Sequence, residues 1–259
     1  MPRTAFLMYH ELELPGRELC QSEPGYTRYI VSAADFDSQM RYLKTLGYNG
    51  VSVGKAVSFS DEQRIAITFD DGCETDLAVA APILADVNFG ATFYVTAGFL
   101  GQRGYLNDVQ LHELSRGFEI GCHSMSHAYL PDLDSAGLER EIVDAKLRVE
   151  EIIGRKVEHF SCPGGRFDDR VIGVVRRAGY RTMSTSSLNL NSESTSVYTL
   201  GRFAVMRDTT PEELANACSG DGLWKSNLRQ TVRDSAKRVL GNRLYDGLRA
   251  KLLGSKNAG

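Results

Sequence analysis

Short apolar runs and amphipathic stretches alternate along most of the chain. Ala5–Tyr9 is a strand-length apolar run. Ser32 precedes a stretch in which Phe36, Met40, Leu43 and Leu46 recur at helical spacing, with Asp35 placed to complete a cap. Residues 51–53 and Arg64–Phe69 read as strands, 76–87 as a helix despite Pro82, and 91–96 as a strand rich in β formers. Asn107 caps a short helix ending near Gly117, and 118–122 is again extended. Asp134 or Ser135 then caps a long helix whose buried face is Leu138, Ile142, Ala145, Val149 and Ile152. Residues 159–162, 169–178 and 181–184 repeat the strand–helix–strand cycle, whereas 185–196 is dominated by Ser, Thr and Asn and reads as a surface loop.

Strands alternating with helices at this spacing imply parallel pairing and an α/β fold, either a barrel or an open sheet. Chemistry in such folds sits at the carboxyl ends of the strands. His10, Asp70, Asp71, His123 and Pro163 each follow directly on a strand-like run. With 259 residues the organisation expected is a single catalytic domain over 1–223 and a basic, helical extension over 224–259.

A net charge of -3 gives no nucleic-acid signal, so no nucleic-acid partner is expected. No stretch approaches eighteen apolar residues, and the apolar run at 5–8 is too short for a signal-peptide core. Five widely spaced cysteines, Cys20, Cys73, Cys122, Cys162 and Cys218, form no zinc-ribbon pattern and read as structural thiols of a reducing compartment. The expected location is therefore cytoplasmic.

Two segments carry candidate chemistry. Thr68-Phe69-Asp70-Asp71-Gly72 ends a strand with adjacent carboxylates, which repel unless a cation or hydrogen bonds hold them. His123-Ser124-Met125-Ser126-His127 places two imidazoles four residues apart, a spacing that suits one face of a helical turn. One carboxylate and two neutral imidazoles suit a catalytic zinc-type ion with one position left for water, and the second carboxylate is then available as a base. Each segment alone would pass for an ordinary loop; both, in order and at strand ends, point to a hydrolase.

At these motifs the chain resembles the polysaccharide deacetylases of the NodB-homology group, carbohydrate esterase family 4, over roughly residues 4–205. The resemblance implies a distorted (β/α) barrel, Asp70 as general base, and Asp71, His123 and His127 as metal ligands. Phe160-Ser161-Cys162-Pro163-Gly164-Gly165 resembles the third motif of the family, which implies an oxyanion role for the Gly164 amide. Two departures stand out. Ser161 occupies the place of an arginine that orients the base in many members, leaving Arg166 or Arg202 as substitutes. No histidine follows His159 to supply the late catalytic acid. Met8-Tyr9-His10-Glu11 instead resembles the permuted, poly-N-acetylglucosamine deacetylase type, which implies His10 as the acid. His112 and His159 match no motif and are assigned to structure.

The activity so implied is removal of N-acetyl groups from an amino-sugar glycan or a lipid-linked or nucleotide-linked precursor, during bacterial surface-polysaccharide synthesis. Alternatives are an O-deacetylase or deformylase using the same site, and a glycan-binding protein without catalysis. Zinc is the first choice of ion, with cobalt, nickel or iron compatible with the same donors. Residues 11–29, directly after His10, are expected to shape substrate entry. Leucines and valines alternate with nine basic residues against two acidic ones between Trp224 and Lys256. That pattern reads first as a solvated helix packed on the barrel, and second as a peripheral contact of 225–256 with the inner membrane.

Overall fold

The computed structural model describes residues 3–58 and 63–220, and the described residues up to Gly220 form one compact unit. Ten strands are present among them: β1 (Ala5–Tyr9), β2 (Leu12–Glu13), β3 (Val31–Ser32), β4 (Asn49–Val51), β5 (Arg64–Phe69), β6 (Thr92–Val95), β7 (Glu119–Cys122), β8 (His159–Ser161), β9 (Thr182–Ser184) and β10 (Phe203–Ala204). All but β2 and β3 belong to one wholly parallel sheet in the order β10-β1-β5-β6-β7-β8-β9, with β4 also paired to β5. The sheet curls into an open barrel with helices outside. The gap between its edges is spanned by one segment: Leu200 bridges to Ser184 of β9, and Phe203 and Ala204 pair with Leu7 and Met8 of β1.

The period-two alternation of a strand sorts its side chains between two faces. From β1 and β5, Leu7, Tyr9, Ile67 and Phe69 join the large core beneath the helices, while Phe6 and Ala66 join a small cluster with Val51, Val53, Tyr94 and Leu200. Rings of Tyr9, Phe36, Phe69 and Phe93 pack at centroid separations of 4.9–5.4 Å and tie β1, β5 and β6 to the helix Ala33–Thr45. Caps act where the pattern placed them. Ser32 accepts from the Asp35 amide, Asn107 and Gln110 form a capping box, and Asp134, not Ser135, accepts from the Gly137 amide.

Several expectations shift. The helix ends at Thr45, so Leu46 lies beyond it and is 43% exposed. The strand expected at 51–53 closes at Val51, and Val53 opens a short helix, Val53–Ala56. The long helix after Asp134 widens into a π segment, Arg140–Asp144, which advances the buried face so that Ile153 is buried and Ile152 only partly so. The 185–196 segment is not a plain surface loop. Thr185 and Asn191 are fully buried. Asn191 exchanges backbone bonds with Thr4, and its side chain bonds both the amide and carbonyl of Gly201. Polar composition marks backbone bonding here rather than exposure. The 11–29 segment after His10 likewise carries β2 and a helical turn, Pro24–Thr27. The basic stretch at 224–259 lies outside the described residues.

Candidate functional site

β5 ends at Phe69, and the chain then turns sharply. Asp71 has φ 81 and Gly72 φ 82; the first is a backbone geometry that costs a non-glycine residue free energy and is retained mainly at working sites. A β-carbon on Gly72 would stand 3.0 Å from the Val95 side chain, so the turn packs directly on β6. Asp71 Oδ1 is buried and accepts no hydrogen bond. An orphaned carboxylate oxygen is expensive unless a cation completes it.

The cation site is built by the two imidazoles. His123 Nε2 and His127 Nε2 each lie 3.7 Å from Asp71 Oδ1, and the three donor atoms fall within 4.8 Å of one another. His123 Nδ1 lies 2.8 Å from the Ser161 carbonyl oxygen, which can only accept. Nδ1 therefore carries the proton, and the Nε2 lone pair faces Asp71. Burial, partly opposed by the Asp70 charge, pushes His123 down to about 4, so its neutral ligand form prevails at neutral pH. These residues fit a divalent ion.

The two histidines do not share a helical turn, contrary to the sequence reading. Ser124 and His127 have φ of 69 and 61, and the segment is an irregular loop. It is held by Glu141 of the π segment, whose carboxylate accepts from the amides of Met125 (3.0 Å) and Ser126 (2.8 Å) and from Ser126 Oγ (2.6 Å). Ser124 Oγ also accepts from the His127 amide at 2.9 Å. Sequence reasoning missed Glu141, which a helical surface glutamate resembles until the π turn directs it inward.

Asp70 is buried beside this centre, its Oδ2 3.7 Å from His123 Nε2. Arg202 answers the question left by Ser161. Its Nη1 donates to Asp70 Oδ1 at 2.7 Å and its Nη2 to Oδ2 at 2.8 Å, a two-pronged charged pair. Arg202 Nη2 also donates to Ser161 Oγ at 2.8 Å, Ser161 Oγ donates to Asp70 Oδ2 at 3.3 Å, and Arg202 Nε donates to the Thr185 carbonyl at 2.9 Å. Burial alone would raise the Asp70 carboxyl; the charge of Arg202 and its hydrogen bonds hold it well below its ordinary value. Arg166 goes elsewhere, over the Tyr129 ring at 3.7 Å.

His10 follows β1 on the same rim. Its Nδ1 is buried without a hydrogen-bond partner, and its ring lies 5.1 Å from that of Tyr29. Burial lowers its proton affinity, while the charges of Asp71 and Asp70 pull it back up. Gly164 sits in the turn after β8 with φ 60, and a β-carbon there would lie 2.9 Å from the Tyr129 ring. Ser161, just before that turn, bonds Asp70 through its side chain and His123 through its carbonyl, which ties the turn to the centre. His112 and His159 lie apart, bonded to the Ile152 carbonyl and to Thr182 Oγ1.

The family model described as polysaccharide deacetylase matches residues 59–183. The matched segment contains Asp70, Asp71, His123, His127 and Gly164 and excludes His10 and Arg202. The chain is 36% identical over 126 residues to the peptidoglycan-N-acetylglucosamine deacetylase of Bacillus cereus, covering 48% of this chain and 57% of that protein. It is 32% identical over 137 residues to a chitooligosaccharide deacetylase of Azorhizobium caulinodans, covering 52% and 64%. The chain thus spans less than two thirds of the length of these relatives. The fold is similar to that of the Streptococcus pyogenes deacetylase PplD, with TM-score 0.74 and 24% identity over 84% of this chain and 99% of that one. Residues 59–183 are thus similar to a polysaccharide deacetylase family model, and the fold is similar to that of a solved deacetylase.

Proposed function

We propose that this polysaccharide deacetylase homologue hydrolyses the N-acetyl amide of an amino-sugar glycan, using a divalent metal held by Asp71, His123 and His127. The observation that carries the reading is the buried, unpartnered Asp71 oxygen facing two imidazole nitrogens at 3.7 Å, beside a second carboxylate held by an arginine. When bound, such an ion supplies Lewis-acid chemistry, acidifying a water and polarising a carbonyl.

The protein's own groups do the rest. Asp70 is ionised at neutral pH and takes the proton of the attacking water; Arg202 and Ser161 fix the direction in which it accepts. The Gly164 amide offers an N–H to the oxyanion that develops on the acetyl carbonyl oxygen, a contribution worth about 2.7–4 kcal/mol per donor in comparable hydrolases. His10 in its protonated form, which burial disfavours and the charges of Asp71 and Asp70 favour, donates to the amine as it departs, since an amine anion is too basic to leave unassisted. This assignment of the acid follows the permuted, N-terminal Tyr-His arrangement. Zinc is the ion the donor set favours, and a precursor or polymer of bacterial surface polysaccharide is the substrate class.

The test is acetate release from N-acetylglucosamine oligomers, polymeric glycan, and lipid-linked or nucleotide-linked N-acetyl sugars, with metal-stripped and zinc-reloaded protein. The expected result is zinc-dependent acetate release from at least one of these. Saturable sugar binding without acetate release, at full metal occupancy, would replace the enzyme reading with a glycan-binding one.

A further inference from the structure

The segment between Glu13 and Val31 folds back onto the turn that follows β5. There the half-buried Cys20 brings its Sγ within 3.6 Å of Sγ of the buried Cys73, 53 residues later in the chain. Both are free thiols in non-bonded contact; a disulfide requires a closing movement to about 2.0 Å between sulfurs.

Their seats are built from both sides. The Cys20 amide donates to Glu11 Oε2 at 2.9 Å, and the same carboxylate pairs with Arg17 and accepts from Tyr26 Oη. Cys20 Sγ donates to the Gly104 carbonyl at 3.1 Å, and a β-carbon on Gly104 would lie 2.7 Å from that sulfur, so only glycine leaves room for it. Tyr26 Oη lies 3.6 Å from Cys73 Sγ. Cys20 is lowered from the ordinary thiol value by its bond to Cys73 and by Arg17, against the opposing effect of burial. The Glu11 carboxylate lies within 4.8 Å of both sulfurs, yet its oxygens are already engaged by Arg17, Tyr26 and the Cys20 amide, which leaves it poorly placed to complete a cation site.

We propose that Cys20 and Cys73 are a reversible thiol–disulfide site that tethers the 11–29 segment to the turn carrying Asp70 and Asp71. The oxidant is a small-molecule disulfide. The Cys20 thiolate attacks one of its sulfurs, breaks its S–S bond and releases one small thiolate. Cys73, giving up its proton, then attacks the Cys20 sulfur of the mixed disulfide and expels the second. Two protein thiols and one small disulfide become one protein disulfide and two small thiols, with two electrons passing to the oxidant.

The experiment treats the full chain with glutathione disulfide, with and without zinc, and reads thiol content, intact mass and peptide maps; no glycan substrate is involved. Wild type is expected to lose two thiols and two hydrogens of mass and to retain no glutathione. Its linked peptide joins Cys20 to Cys73, and dithiothreitol reverses the change. Cys73→Ser should stop at a stable glutathione adduct on Cys20, and Cys20→Ser should yield neither product. A lasting glutathione adduct on wild-type Cys20, links among Cys122, Cys162 and Cys218 instead, or an unreacted wild type would overturn the proposal. So would zinc protection of Cys20 and Cys73 that persists in Asp71→Ala, which would make the cluster a cation site.

Discussion

The two ends of the parallel strands carry the same functional groups in opposite conditions. At the amino ends Glu119 opens β7, His159 opens β8 and Thr92 opens β6. The Glu119 carboxylate accepts from Thr92 Oγ1 at 2.5 Å, Ser52 Oγ at 3.0 Å and the Gly54 amide at 3.1 Å, and lies 3.4 Å from His159 Nε2. His159 Nδ1 is bonded to Thr182 Oγ1. At the carboxyl ends Asp71, His123 and His127 present the same carboxylate and imidazole chemistry, but an Asp71 oxygen accepts nothing and the backbone around it is strained. Burial and residue type are therefore poor guides to function by themselves. A more telling property is whether the polar valences are filled, and among the described residues Asp71 and His10 at the carboxyl end leave buried atoms unpartnered beside the two imidazoles.

The largest expected effect follows from removing that open valence. Asp71→Ala or His123→Ala should lose bound metal by elemental analysis and lower acetate release by roughly three orders of magnitude or more. Retention of stoichiometric metal in either variant would break the comparison. His10→Ala should keep its metal and lose about 10²–10⁴-fold in amide turnover, the range for a general acid. An ester substrate, with its better leaving group, should lose much less. Near-normal amide turnover in that variant would remove His10 from the reaction.

Arg202→Lys keeps the positive charge but not the two-pronged fork. Its kcat should fall roughly 10–100-fold with KM and metal content preserved, as expected of a residue that positions another. At the opposite end, Glu119→Gln should leave turnover per folded molecule unchanged and cost about 1–3 kcal/mol of stability in denaturant titration. Burial would raise the Glu119 carboxyl, but His159, Thr92 and Gly54 bring it below its ordinary value of 4.5. A lowered carboxyl stabilises the fold above that pH and loses this contribution as pH falls through its folded-state value. The stability gap between wild type and variant should thus narrow on acidification; a gap independent of pH would show that Glu119 acts through packing alone.

Much of this was legible along the chain because it depends on local order. Period-two and period-3.6 patterns located the strands and helices, placement at strand ends drew attention to His10, Asp70, Asp71, His123 and Pro163, and spacing added His127. What escaped depends on distant contacts or on irregular backbone. Arg202 reaches Asp70 across 132 positions and lies in no motif, so sequence could only name it beside Arg166. The histidine loop takes its shape from left-handed residues and from Glu141, whose inward aim follows from a π turn that hydrophobic spacing does not reveal. Cys20 and Cys73 look unrelated by spacing because their meeting depends on how the 11–29 segment folds back.

The crossing segment from Leu200 to Ala204 has a temporal consequence. It joins one of the last strands to the first, and Arg202 rides on it. A chain still emerging during synthesis can assemble the cation ligands well before the fork that steadies Asp70 has been made. The environment of Asp70 is thereby linked to the meeting of remote parts of the polypeptide.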